Sequence, residues 1–301
     1  MPIFNQLFKS LTICNLLIFT SVVLLSGWLG YYVDNIVPPR PAGETAGMAL
    51  WLVLPLLSTL ALRTFAGDGW KDIALRPRLY SNAKWYVVSF VIFPLVTAAI
   101  LLIGWLLGWI DFNNFKTSDY FSVFAASLFP NFIKNIFEEF VWRGYLTSKL
   151  LQLKLNDWWL YLIVGAIWGA WHIPYYLFFL PEAQIAQILP VAPVVFALLA
   201  IVTMIFWTVM YVELYRITGS IWPAVILHMA EDSIINHLVT DRHITIAPGT
   251  EIFISPITGV LSMVFYLIVG LWLRKIRKGN TLRFDTLVHS SENKKVLSLP
   301  Q

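Results

Sequence analysis

Apolar residues in this chain run in long blocks, without the alternation of a strand or the narrow stripe of a soluble amphipathic helix. A helix needs about 20 predominantly apolar residues to cross a bilayer. Eight segments fit: Leu11–Tyr32, Ala46–Leu62, Trp85–Ile110, Phe121–Leu146, Trp158–Leu180, Val191–Val212, Ser220–Val239 and Ile257–Leu273. The predicted fold class is therefore all-α, a polytopic membrane protein with about eight transmembrane helices. Pro94, Pro174 and Pro223 lie within or near the starts of these segments. Membrane helices tolerate proline when neighbours satisfy the freed carbonyl. The first segment follows only Lys9, with no small-x-small cleavage site after its apolar core. It reads as a retained helix rather than a signal peptide. The expected organisation is a cytoplasmic segment over 1–10, a helical membrane domain over 11–278 and a polar cytoplasmic tail over 279–301. Beyond Arg283 that tail is expected to be disordered.

Composition agrees with this pattern. Of 301 residues, 58% are hydrophobic and 13% charged, with a mean hydropathy of +0.71. A soluble domain carries about a quarter charged residues. The 14 tryptophans suit membrane–water interfaces. A single cysteine, Cys14, excludes an intrachain disulfide and a cysteine metal cluster.

The formal charge of +4 calls for no nucleic-acid partner, because topology accounts for the basic residues. With the N-terminus inside, one side receives Lys9, the loop Arg63–Lys84, the group Arg143, Lys149 and Lys154, then Arg216 and the basic run from Arg274. The other side receives Arg40, Lys116 and Arg242, and Lys134 falls in mid-segment. This asymmetry places both termini in the cytoplasm. The loop Arg63–Lys84 reads as a turn region with a short interfacial helix. Lys149 and Lys154, alternating with leucines, read as a helix end at the lipid headgroups.

Three segments hold nearly all the intramembrane polar groups. The fourth carries Glu138, Glu139 and Arg143, the fifth Trp168, His172 and Pro174, and the seventh His228, Glu231, Asp232 and Asn236. Ionisable groups in hydrocarbon are expensive and mark functional sites by default. Glu139 and Arg143 are four apart, acid first, the favourable order for an ion pair. Glu138 points about 100° away around the helix, free for another task. Trp168 shares a face with His172, and His228 with Asp232. Pro174 cannot bond the carbonyl of Ala170, which loosens the helix beside His172. Carboxylates and imidazoles from three helices can activate a water and stabilise an oxyanion. The same set can hold zinc or another divalent metal through His172, His228 and Asp232. Lys134, four before Glu138, can touch it or line a wet cavity. His237 reads as interfacial, and His243 and His289 carry no signal. The chain has no His-Glu-x-x-His helix and no Gly-x-Ser-x-Gly elbow.

Three motifs in order carry a resemblance: Glu138-Glu139-x-x-x-Arg143, the pair Trp168 and His172, and the run Thr218–His228 followed by Asp232. Over roughly Phe121 to Val239 the chain resembles the CPBP family. These are the CAAX-protease and bacteriocin-processing intramembrane endopeptidases, related to the type II CAAX prenyl endopeptidase. The resemblance implies an eight-helix membrane protease with its core at 121–239 and a cytoplasm-facing cavity. Glu138 with His172 would activate the water. His228 and the residue at 232 would stabilise the oxyanion, Glu139 with Arg143 would brace the site, and Trp168 would contact substrate. The family is often labelled metalloprotease, while a glutamate-dependent, metal-free mechanism is also argued for it. Two departures stand out. Trp168 occupies a position where Phe is common, and Asp232 one where Asn is common. An ionised Asp repels an oxyanion, so Asp232 must be protonated, metal-bound or differently used.

The expected activity is hydrolysis of peptide bonds in membrane-associated, prenylated or otherwise hydrophobic peptides. The expected partners are membrane lipid and a hydrophobic or lipidated peptide or protein, with no nucleic acid. The expected setting is a bacterial plasma membrane, crossed several times. Two other classes share these features: a non-catalytic immunity or scaffold protein of the same fold, and a proton-coupled transporter.

Overall fold

The computed structural model describes residues 2–38 and 45–296, with side chains over 10–38 and 45–279. Arg40 lies outside the described residues. The chain is helical almost throughout. In order run α1 (Pro2–Asp34), α2 (Ala46–Phe65), α3 (Leu79–Leu106), β1 (Ile110–Asp111), α4 (Thr117–Val141), a π-helical turn (Trp142–Thr147) and α5 (Ser148–Gln152). Then follow α6 (Asp157–Trp171), a second π-helical turn (Tyr175–Phe179), α7 (Glu182–Ile188), α8 (Pro193–Thr218), α9 (Trp222–Thr240), β2 (Thr245–Ile246), α10 (Glu251–Ile254) and α11 (Val260–Val296).

Each predicted apolar segment is helical over most of its length, and five helical stretches are long and apolar enough to cross a membrane. These are Ser10–Asp34, Ala46–Phe65, Leu79–Leu106, Asp157–Phe179 and Pro193–Thr218. α4 and α9 carry the charged and amide side chains, and the apolar part of α11 is short. Apolar side chains such as Leu17, Leu25, Val87 and Leu95 are more than 60% exposed. In water such a surface would aggregate; against hydrocarbon it is the expected exterior.

Helix pairing sets the architecture. α1 lies along α2, α6 along α8, α8 along α11, and α9 between α3 and α4. The α6–α8 contact is made at backbone distance. A Cβ on Gly165 would lie 2.5 Å from Ile205 Cα, and one on Gly169 would lie 2.7 Å from Ile201 Cα. Two glycines four apart are the small-residue spacing that lets membrane helices approach closely. α4 is tied to α9 by Asn131 Nδ2 donating to Ser233 Oγ (3.0 Å) and by Tyr120 Oη donating to the Ile234 carbonyl (3.1 Å).

Several expectations are corrected. The loop 66–78 holds no helix; α3 starts at Leu79, before the predicted Trp85, and ends at Leu106. Ile110 leaves the helix to pair with Ile246 in a two-residue antiparallel ladder. That ladder joins the α3–α4 connection to the segment after α9. Lys149 does not lie at the headgroups. It is 2% exposed, with Nζ donating to the Asp68 carbonyl (2.8 Å) and 3.1 Å from Asp72 Oδ2. Arg63 is equally buried and donates to the Gly69 carbonyl (2.6 Å), Asp72 Oδ1 (2.7 Å) and the Gly144 carbonyl. Charges that read as loop markers thus form an interior clamp. α11 runs on to Val296, where disorder was expected after Arg283. No Gly or Pro follows Gly279 before that point, so nothing local interrupts helix propagation.

A second charged cluster joins α6, α8 and α11. Asp157 meets Arg216 (2.7 Å), Arg274 (2.8 Å) and Arg277 (2.9 Å), and buried Glu213 accepts from Arg277 Nε (2.5 Å) and from the Tyr161 hydroxyl.

Two outcomes follow from this packing. Gly169→Ala forces the α6–α8 backbones apart and should destabilise the protein by about 1–3 kcal/mol, the usual cost of overpacking. Thermal unfolding in detergent measures it, and an unchanged Tm would mean that the two helices do not touch there. The second outcome concerns Asp72. Burial pushes its carboxyl up, but the hydrogen bond and charge of Arg63, with Lys149 beside it, outweigh this and hold it below its ordinary value of 3.8. A depressed folded-state pKa stabilises above the unfolded value and loses that contribution as pH falls through the folded one. Between about pH 5 and about pH 3 the wild-type Tm should therefore fall more steeply than that of Asp72→Asn. Parallel slopes would remove Asp72 from the clamp's energetics.

Candidate active site

The site is built where α4 gives way to its π-helical turn. Glu139 is fully buried on the inner face of α4. Its Oε1 accepts from Arg143 Nη1 (2.8 Å) and from His228 Nδ1 (2.9 Å). The expected ion pair is present, with a third member from α9. Arg143 is itself fully buried, its guanidinium 4.3 Å from the Trp168 ring and 4.2 Å from the Tyr211 ring. Two neighbouring aromatic rings stabilise a cation that has left water. The π-helical turn begins at Trp142, and Thr147 Oγ1 donates back to the Trp142 carbonyl (2.8 Å). Such turns recur at functional positions.

Glu138 points elsewhere, as the helical angle requires. Its carboxylate lies 3.4 Å from Trp142 Nε1 and 3.5 Å from Lys134 Nζ. It lines a cavity of about 300 Å³ together with Lys134, Trp168, His172, His228, Glu231 and Asp232. Tyr175 and Tyr176 contribute to the same wall. Lys134 both approaches Glu138 and lines the cavity, so the two readings of its sequence position hold together.

His172 caps the C-terminal end of α6. Its backbone N–H bonds the Gly169 carbonyl at 3.1 Å, a tightened last turn. Pro174 follows and lacks an N–H, and the chain then re-forms as the second π-helical turn. His172 Nδ1 lies 2.8 Å from the Trp168 carbonyl. A carbonyl can only accept, so Nδ1 carries a proton, and in neutral form the ring keeps a lone pair on Nε2. His228 Nδ1 faces the carboxylate of Glu139, which also only accepts, so that nitrogen carries a proton too. Both imidazoles thus commit one nitrogen to the protein and leave the other.

Asp232 Oδ2 lies 2.8 Å from Lys134 Nζ and accepts from Asn135 Nδ2 at 2.7 Å. Its charge is met by a neighbouring ammonium and amide. Trp168 lines the cavity, but its ring also packs edge-on to His228 (5.5 Å between centroids) and under Arg143, so it braces as well as walls the site. His237 pairs with Asp241 at 2.8 Å, away from this set. His243 is buried, edge-on to Tyr120.

Glu138, Trp168, His172, His228 and Asp232 therefore share one cavity, with Glu139 and Arg143 buried behind it. Sequence reasoning missed Asn135, Glu231 as a cavity residue, and Tyr211. Asn135 stands four before Glu139, a helical spacing that flags it. Tyr211 gave no signal, because nothing in α8 marks which aromatic meets Arg143.

A divalent cation is a specific alternative. Among the described residues, His228, Glu231 and Asp232 bring ligand atoms within 4.8 Å of one another, and His172 is not in that group. The trio expected from the sequence is thus not the set brought together. The set that is brought together fits a resident cation poorly. The Lys134 ammonium sits 2.8 Å from Asp232 Oδ2, where it would repel a metal ion and compete for the same lone pairs.

The chain matches no curated protein. Residues 120–234 match the family model described as type II CAAX prenyl endopeptidase Rce1-like. The matched stretch runs from the first turn of α4 into α9 and holds every group just described from Lys134 to Asp232. Over these residues the chain is similar to the Rce1-like type II CAAX prenyl endopeptidases, the family that its three motifs also resemble.

Proposed function

We propose that the protein is an intramembrane endopeptidase that hydrolyses peptide bonds in lipidated or otherwise hydrophobic peptides through a water activated by Glu138. The observation that carries this reading is the cavity shared by Glu138, His172 and His228, with each imidazole's Nδ1 already engaged. In neutral form, rings so oriented offer acceptors, and Glu138 offers a base. In the proposed reaction Glu138 takes a proton from water as the water oxygen bonds the peptide carbonyl carbon. The carbonyl electron pair moves to oxygen. Collapse of this intermediate breaks the C–N bond, and Glu138 returns the proton to the departing amine. His172 orients the water through Nε2. Glu139 and Arg143 fix the ring of His228. No step of this reading is routed through a metal, and the Lys134 ammonium on Asp232 Oδ2 supports that choice.

A second, apolar opening supports a hydrophobic substrate. A cavity of about 320 Å³ lies between α2 and α4, lined by Leu52, Leu56, Phe137 and Trp171 and reaching Lys134 and Glu138. A chain lying in the bilayer could enter there without crossing water.

The eight-crossing topology with both termini cytoplasmic belongs to the same proposal. The two charged clusters at the ends of α2, α5, α6, α8 and α11 support one basic side. With Cys14→Ser as background, cysteines introduced at Arg76 and Thr250 should react with an impermeant maleimide from opposite sides. Reaction from one side would refute that topology.

The paired acids separate the roles. Glu138→Gln keeps the shape but removes the base, so cleavage of a hydrophobic reporter peptide should fall at least about a hundredfold in folded protein. Glu139→Gln leaves Arg143 and His228 without their anion and should lower folded yield first, since breaking a buried pair costs about 3–5 kcal/mol. Wild-type turnover in folded Glu138→Gln would overturn the proposed base.

A further inference from the structure

We infer that Lys134 is the cation of an oxyanion site in this cavity, held in place by Asp232 and Asn135. The inference rests on the hydrolytic reading above and adds a residue to it.

The walls of the cavity set the problem. Glu138, Glu231 and Asp232 all face it, and ionised carboxylates only accept hydrogen bonds. His172 and His228 each commit the Nδ1 proton elsewhere, so in neutral form their second nitrogens accept as well. An anion forming on a peptide carbonyl would meet three acids, and the other donors on the walls, such as the Tyr175 and Tyr176 hydroxyls and the Asn236 amide, carry no charge. Lys134 is the one Lys or Arg among the described residues lining the cavity.

Its placement suits the task. An ammonium carries three donors. One is directed at Asp232 Oδ2 at 2.8 Å, and the looser approach to Glu138 Oε1 is 3.5 Å. At least one donor remains for a ligand. Asp232 is itself fixed by Asn135 Nδ2 at 2.7 Å, so the anchor of the ammonium is rigid. Lys134 comes from α4, one turn before Glu138, while Asp232 comes from α9, one turn after His228. The cation thus sits between the base and Asp232. Asp232 serves as a positioning residue whose charge holds the lysine.

The test uses the full-length protein in detergent and a hydrophobic peptide phosphinate, a stable anion shaped like the tetrahedral intermediate. Its affinity is compared with that of the uncharged parent peptide in wild type, Lys134→Met, Lys134→Arg and the charge-balanced pair Lys134→Met with Asp232→Ala. The phosphinate should bind at least about tenfold more weakly to Lys134→Met, with the neutral peptide little changed and Lys134→Arg retaining much of the affinity. The charge-balanced pair, which removes the acid together with its cation, should bind the phosphinate as weakly. In turnover, loss of the cation should lower kcat about 10²–10³-fold with KM nearly constant. Wild-type phosphinate affinity in the charge-balanced pair would overturn the inference, because Lys134 would then only neutralise Asp232. Equal binding by wild type and Lys134→Met, or none by wild type, would overturn it too. Phosphinate binding needs no turnover, so an inactive wild type that binds it through Lys134 would refute proteolysis and leave the oxyanion site standing.

Discussion

One buried carboxylate organises the centre of this molecule. Glu139 has no access to solvent and shares a single oxygen between Arg143 and His228. A charge in that setting costs several kcal/mol unless every partner is in place. The partners come from different helices. Arg143 follows on from α4, His228 belongs to α9, and the rings packed against the guanidinium, Trp168 and Tyr211, belong to α6 and α8. Four helices must therefore meet correctly for one ion pair to be tolerable. The same demand delivers His228 to the cavity with its ring orientation fixed.

Helix regularity is relaxed at the two places where reactive groups emerge. The π-helical turn starts within four residues of Glu138, and the end of α6 falls at His172. A straight α-helix through either point would present its side chains at fixed intervals along one stripe. Breaking the ladder re-aims them, while local bonds such as Thr147 to Trp142 satisfy the displaced carbonyls. The backbone at the π-helical turn is in turn held from outside. Arg63 reaches the Gly144 carbonyl, and the loop after α2 accepts from Ile221 and Trp222 at the start of α9. The clamp thus touches both the helix of the paired acids and the helix of His228.

The charge balance in the cavity is a second constraint. Three acids face a small volume, and Lys134 offsets part of that charge by pairing with Asp232. This is how the departure at position 232 becomes tolerable. The carboxylate is anchored to an ammonium and an amide instead of standing free toward an anionic intermediate.

The helical class, the long apolar helices, the ion pair of Glu139 with Arg143 and the turn of Glu138 away from that pair were legible in the sequence. Each depends on spacing within one helix, and a period of 3.6 residues fixes which side chains share a face. The three motifs also named the residues that line the cavity, because polar groups inside long apolar blocks stand out. What the sequence could not supply was any relation between helices. Lys149 and Arg63 read as topology markers, yet they are buried in the clamp, since nothing local distinguishes a lysine facing headgroups from one facing Asp68 and Asp72. Tyr211 is one aromatic among many in α8, and only the close approach of α6 at Gly165 and Gly169 brings it to Arg143. Asp232 looked like a liability until α4 set Lys134 and Asn135 against it. Pairing across helices depends on crossing angle and distance, and these are decided by packing over the whole bundle rather than by any one segment.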